Sequence, residues 1–168
     1  MNYCKWLSDK SSKQYRLPTE AEWEKAARHS LLILKESSRE ETESRIWPWG
    51  NEFNKTNANT GESRIGHTTP VGQFSPQGDS YYGCADFAGN VWEWCADWFD
   101  ENEYSHHKDI EKDPQGPQKG YTRVLRGGSF SYDRWSVRCA CRRGRTPRDF
   151  SIYRGFRVAF SSILYVSE

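Results

Sequence analysis

The segment Asp86-Phe87-Ala88-Gly89-Asn90-Val91-Trp92-Glu93-Trp94 concentrates more potential chemistry than any other stretch of the chain. Its two carboxylates flank a glycine and an asparagine, residue types that let the backbone turn. A turn of this kind can aim carboxylate and carbonyl oxygens at one hard cation, and calcium takes about six to eight oxygens. The same residues have a plainer use, in which Asp86 caps a turn and Glu93 meets an arginine. Cys139-x-Cys141 is the one close cysteine pair. On a strand, residues two apart share a face, so both thiols could reach a soft metal, or simply serve as small half-buried hydrophobes. His106-His107, with Glu103, Asp109 and Glu111, reads either as a transition-metal cluster or as a solvated loop. Ser129 follows Gly127-Gly128 without a Gly-x-Ser-x-Gly elbow, so it has no support as a nucleophile.

Charge adds a second signal. The chain totals +1, which supplies no global field for nucleic acid or a membrane surface. Residues 123–157 nevertheless hold ten Arg, no Lys and only Asp133 and Asp149 as acids. The acids gather between Asp86 and Asp113. The two segments either pair with each other inside one fold, or the arginines present a surface that reads an anionic or planar ligand. A solubilising face would use Lys as well, whereas Arg forks match carboxylate and phosphate geometry.

The elements that must position these groups are few. At 168 residues the chain reads as a single domain spanning 1–168, long enough to bury a core. Its 15% aromatic content excludes wholesale disorder. Tyr3, Cys4, Trp6 and Leu7 have helical spacing. Thr19 followed by Glu22 is a capping box, predicting a helix through about Arg28 with Ala21, Trp23, Ala26 and Ala27 inward. Residues 29–45 read as an inserted surface loop, partly helical, and 161–168 as a tail. Loop chemistry runs from Ile46 to Gly89. Strands are expected at Tyr121–Arg126, Trp135–Arg142 and Gly155–Phe160. The longest apolar run, residues 31–34, is far too short to span a bilayer, and no signal peptide is visible, so the expected location is cytoplasmic. Five cysteines, at 4, 84, 95, 139 and 141, without a paired Cys-x-x-Cys pattern, point away from structural zinc or a disulfide framework.

Five motifs in order carry a resemblance. They are Tyr15-Arg16-Leu17-Pro18-Thr19-Glu20-Ala21-Glu22-Trp23-Glu24, Trp47-Pro48-Trp49-Gly50, Gly89-Asn90-Val91-Trp92-Glu93-Trp94, Arg126-Gly127-Gly128-Ser129 and Gly155-Phe156-Arg157. The chain resembles the formylglycine-generating-enzyme, or sulfatase-modifying factor, domain family from residue 1 to about 160. The resemblance implies an α+β, C-type-lectin-like fold of low regular secondary structure. It also implies that a further upstream segment, which completes the main sheet in the family, is missing here. In the sulfatase-activating members, two cysteines shortly after Gly-Gly-Ser hold copper. The first would fall at Tyr132 and the second near Val137, so copper oxidase chemistry is not expected. Calcium is implied at Asp86, the Gly89 and Val91 carbonyls, and Glu93. A second family calcium site near Asn59 and Thr60 is not expected, because the segment after it is shortened to Gly61-Glu62-Ser63-Arg64.

The resemblance extends to a non-enzymatic branch, the variable proteins of diversity-generating retroelements, whose variable positions lie between Gly-Gly-Ser and Gly-Phe-Arg. The function expected is therefore a non-catalytic ligand- or protein-binding domain on a calcium-stabilised scaffold. Its binding face lies in residues 130–154 and uses Ser131, Tyr132, Asp133, Arg134, Trp135, Arg143, Arg145, Phe150 and Tyr153, a mix suited to an adaptable binding surface. The partner would be a protein or a small molecule, with other domains or a sheet-completing segment as further partners, and neither nucleic acid nor membrane. The alternatives are an oxidase or metalloenzyme with a rearranged site, and a regulatory module of a larger multidomain system.

Overall fold

A computed structural model describes residues 2–33, 40–106 and 112–160. Helix α1 covers Asn2–Asp9 and α2 covers Glu20–Arg28. The Thr19 cap is built as the sequence predicts. The Glu22 amide donates to Thr19 Oγ1 at 3.2 Å, and the Thr19 amide donates to Glu22 Oε2 at 2.8 Å. Arg16 holds the same carboxylate with two 2.6 Å hydrogen bonds. Trp23 and Ala27 turn inward from α2, and Trp23 meets Phe87 edge-on at 4.9 Å between ring centroids. They form one core cluster with Cys95, Val124 and Cys139. A second cluster joins Trp47, Ala58, Ala88 and Val137.

Strand β1, Tyr15–Arg16, pairs antiparallel with β8, Ala159–Phe160, and so ties the two ends of the domain together. The main sheet has four strands: β4 (Trp92–Trp98), β5 (Arg123–Arg126), β6 (Arg142–Arg145) and β7 (Arg154–Gly155). Their spatial order is β6-β5-β4-β7, with β4–β5 and β5–β6 antiparallel and β4–β7 parallel. A short helix α3 spans Glu103–His106. His107, Asp109 and Glu111, most of the proposed histidine cluster, lie outside the described residues, as does the 161–168 tail. No described helix is long and apolar enough to cross a membrane.

Four expectations need correction. The segment read as a surface loop over 29–45 is an antiparallel hairpin, β2 (His29–Ile33) against β3 (Glu40–Ser44), with residues 34–39 outside the described set. Its second strand, Glu-Glu-Thr-Glu-Ser, has no apolar alternation to announce it. Backbone pairing, which no side-chain pattern encodes, makes it a strand. The strand expected at Trp135–Arg142 is a series of turns, and β6 begins only at Arg142. Asp133 causes this, because both its carbonyl and its Oδ1 accept from the Ser136 amide, at 3.0 and 2.9 Å. Cys139 and Cys141 therefore do not share a strand face. The central strand β4 itself lies where no strand was expected. The last expected strand is reduced to two short pieces, β7 and β8.

The long loops are fastened by polar groups. Asn59, fully buried, donates from its amide to the His67 carbonyl at 2.8 Å, and its own carbonyl accepts from the Asn90 amide at 2.8 Å. Gly89 (φ 80°) and Asn90 (φ 59°) are both left-handed here. A Cβ on Gly89 would come 2.1 Å from the Asn59 carbonyl oxygen, so backbone passes directly against backbone and only glycine fits.

Candidate binding face

The register of the main sheet sorts its side chains into two faces. On the inner face, Glu93 of β4 stands beside Arg126 of β5, which stands beside Arg142 of β6. Helix α2 packs over this row and brings Glu20 and Glu24. Arg126, with no exposed surface, donates to Glu20 at 3.0 Å, to Glu24 at 2.5 Å and to the Cys139 carbonyl at 2.8 Å. Arg142 grips Glu20 at 2.7 and 2.5 Å and reaches the Asp100 carbonyl at 2.8 Å. Much of the Arg-rich segment's charge is thus matched internally, because buried charges must be paired. Asp97 accepts from the Glu20 amide at 2.7 Å, while burial pushes its carboxyl above the usual range.

On the outer face, Trp92 pairs with Arg154, Trp94 with Leu125 and through it Arg143, and Trp98 with Arg123 and through it Arg145. Trp94, Arg123 and Arg154 were not anticipated as surface-forming residues. The period-two spacing of Trp92, Trp94, Ala96 and Trp98 is the signal that would have found this face. Tyr132 lies over its edge, 5.5 Å from Trp92 between centroids, and the Arg143 guanidinium stands 5.0 Å from the Tyr132 ring.

The nine residues expected to bind do not form one cluster. Tyr132 and Arg143 come together over Trp92. Arg145 lies 3.9 Å from Asp149, which Arg154 also holds at 2.5 Å. Phe150 projects beside them and is 92% exposed, while Tyr153 leans on Phe130 at 5.1 Å. Ser131 is exposed and pairs with Ser129 at 3.4 Å between hydroxyl oxygens. Asp133, Arg134 and Trp135 belong to the adjoining turn. The Ser136 amide holds the Asp133 carboxyl below the usual range. The Arg134 amide donates to Glu62 at 2.8 Å and its guanidinium covers the Phe53 ring at 4.9 Å. Trp135 is exposed beside Arg138.

At the positions implied for calcium, the geometry favours the arginine reading. Glu93 Oε2 accepts from Trp23 Nε1 and Arg157 Nε, both at 2.6 Å, and Oε1 accepts from Arg157 Nη2 at 2.6 Å. Asp86 is left-handed (φ 59°) and accepts from the Gly72 amide at 2.7 Å. Asp86 and the Gly89 and Val91 carbonyls leave oxygens that suit a hard cation, but a cation at Glu93 would have to share that carboxylate with Arg157.

Burial pushes Cys139 up to about 12 and raises Cys95 and Cys141 as well, so all three stay protonated at neutral pH. Among the described residues no three His, Cys, Asp or Glu side chains converge on a metal-sized site. Val137 is fully buried, and its Cγ1 would lie 2.5 Å from a Cβ on left-handed Gly128.

Comparison with known proteins places this geometry. Residues 1–162 match the sulfatase-modifying factor enzyme 1-like domain. The formylglycine-generating enzyme of Thermomonospora curvata is 39% identical over 163 residues, covering 86% of this chain and 48% of that protein. The chain therefore spans about half the length of this curated relative. Among solved structures, PvdO from Pseudomonas aeruginosa superposes with a TM-score of 0.73 at 29% identity, over 96% of this chain and 58% of that one. Treponema denticola variable protein 1 superposes with a TM-score of 0.62 at 32% identity, over 87% of this chain and 47% of that one. The C-type-lectin-like, α+β architecture follows, and the chain belongs to the sulfatase-modifying factor enzyme 1-like domain family.

Proposed function

We propose that the chain is a non-catalytic binding domain whose ligand face is built on residues 130–154. The observation that carries this reading is the chemistry at the two positions where relatives of the resembling family hold copper. Tyr132 there packs on Trp92 under Arg143, and Val137 is core. A phenol and an isopropyl group cannot supply two thiolates to Cu(I). The likeness to a solved variable protein supports a display role for the same segment. Calcium at Asp86, Gly89, Val91 and Glu93 is part of the proposal as a scaffold ion.

Two measurements test it. Protein loaded with Cu(I) and given a cysteine-containing peptide is expected to consume no oxygen. Uptake that disappears in Cys141→Ser would overturn the reading in favour of an enzyme. Peptides selected on the chain by phage display are expected to bind Tyr132→Ala and Arg145→Ala more weakly while both variants melt like the parent. Equal affinity would remove residues 130–154 from the binding face.

A further inference from the structure

The outer face of the main sheet carries a charge surplus that the fold does not consume. On the inner face Arg126, Arg142 and Arg157 are each matched by Glu20, Glu24 or Glu93. On the outer face Arg123, Arg143, Arg145 and Arg154 stand among the half-buried Trp94 and Trp98 and the buried Trp92, and the acids beside them are Asp149 and Asp133. Asp149 is held by Arg154 at 2.5 Å and lies 3.9 Å from Arg145, so one acid serves two arginines, and Asp133 is engaged by the Ser136 amide. Among the described residues neither Arg123 nor Arg143 makes an ion pair. Both guanidiniums are instead stacked, Arg123 at 3.5 Å from the Trp98 ring and Arg143 at 5.3 Å from Trp92. Arg123 also donates to the Ala96 carbonyl, whereas no carboxylate of the described residues meets Arg143, whose planar fork is the kind that receives a carboxylate bidentately.

Beside this charged strip Trp94 forms the wall of an apolar hollow of about 200 Å³, with Tyr3, Pro147 and Phe156 around it and Arg123 in its lining. Pockets for drug-sized ligands run from about 300 Å³ upward, so this one fits a single side chain better than a free small molecule. On its other side Trp94 borders a second depression with Phe150 and Ile152, which are 92% and 72% exposed. Apolar side chains this exposed, on a face that also carries Arg143 and Arg145, make a surface with both ingredients of a peptide contact, an apolar anchor point and a charged rim.

We propose that this face binds an acidic peptide segment of a partner protein. Its carboxylates lie on Arg143 and Arg145, and one apolar side chain enters the hollow beside Trp94. The proposal rests on the binding role given above and names its ligand class. Charge complementarity selects the acid, since a basic segment would meet up to four guanidiniums. The side-chain-sized hollow selects a peptide, which projects apolar and anionic groups alternately.

Fluorescence anisotropy with a fluorescein-labelled peptide alternating Glu and Leu tests it. Peptides of the same length alternating Glu and Ser, or Lys and Leu, and an oligothymidylate serve as comparisons. The Glu–Leu peptide is expected to bind tightest, and the Glu–Ser peptide about tenfold more weakly for want of an anchor. Arg143→Glu, Arg145→Glu and Trp94→Leu are each expected to lose about tenfold or more with unchanged melting, and Arg148→Glu is expected to lose little. Undiminished binding in Arg143→Glu and Arg145→Glu overturns the proposal. So does a Glu–Ser peptide as tight as Glu–Leu, and so does an oligothymidylate that binds at least as well. If phage-selected neutral or basic peptides bind through Tyr132 while Glu–Leu does not, the ligand class is wrong and the binding role stands.

Discussion

Replacing Glu93 by Gln keeps the shape of the side chain and removes its charge. The native carboxylate receives three donors, one from Trp23 and two from Arg157, all at 2.6 Å. The amide can still accept on Oε1, but its Nε2 turns a donor toward a donor. Arg157 retains the Ala85 carbonyl at 3.1 Å and the Phe87 ring at 3.8 Å, and its side chain keeps 26% exposure, so water recovers part of the loss. Removing one partner of a buried ion pair costs about 3–5 kcal/mol, and partial access to water places this pair at the lower end, about 3 kcal/mol. With a urea m-value of about 2 kcal/mol/M, the unfolding midpoint should fall by about 1.5 M. Tryptophan fluorescence in a urea titration, run with chelator, measures this. A loss below about 1 kcal/mol in chelator would refute the claim that Arg157 and Glu93 neutralise each other in the core. Repeating the titration in millimolar calcium separates the ion from the arginine. A parent midpoint that rises with calcium, and a Glu93→Gln midpoint that does not, supports the proposed cation site. A parent that does not respond removes calcium from the scaffold.

Gly89→Ala should destabilise by several kcal/mol, on the order of 3 or more, because φ is left-handed and the new methyl would overlap the Asn59 carbonyl; a thermal melt within a few degrees of the parent contradicts the close approach. Iodoacetamide at mildly alkaline pH should leave Cys95 and Cys139 unmodified until the chain is unfolded, since both are buried and protonated; rapid native-state labelling of either, read by mass spectrometry, would show that the first core cluster opens. At Glu24 burial pushes the carboxyl up, but the Arg126 charge and the hydrogen bonds from Arg28 and Arg126 outweigh it and hold the group below its ordinary value. A lowered folded value means stability that is present above the unfolded carboxylate range, near 4.3, and is lost as pH falls through the folded value. Glu24→Gln should therefore flatten the acid side of the stability profile, and an unchanged slope there would contradict the pairing.

Local chemistry was legible where the determinants are neighbours in the chain. Thr19 and Glu22 are three residues apart and cap α2 as the sequence says. The Gly-Asn pair at 89–90 announced a turn, and both residues are left-handed. The candidate site was only half legible. Tyr132, Arg143 and Arg145 were named from the sequence and do lie on or beside the outer face, but Arg134 and Trp135 belong to a separate turn that Asp133 builds. Glu93 had two readings, and its neighbours in the chain could not choose between them. Arg157, 64 positions away, and Trp23, 70 positions away, supply the donors that hold its carboxylate.

The amino-acid sequence by itself determined the family, the capped helix, the lack of cysteine at positions 132 and 137 and the excess of arginine toward the end. These depend on residue identity and short spacing, which the chain states directly. Tertiary structure alone decided which arginines are used up inside and which stand on the outer face. That outcome depends on strand register, and a shift of one residue along β5 or β6 would exchange the two sets. Register is fixed by contacts between segments far apart in the chain, and no local pattern contains it.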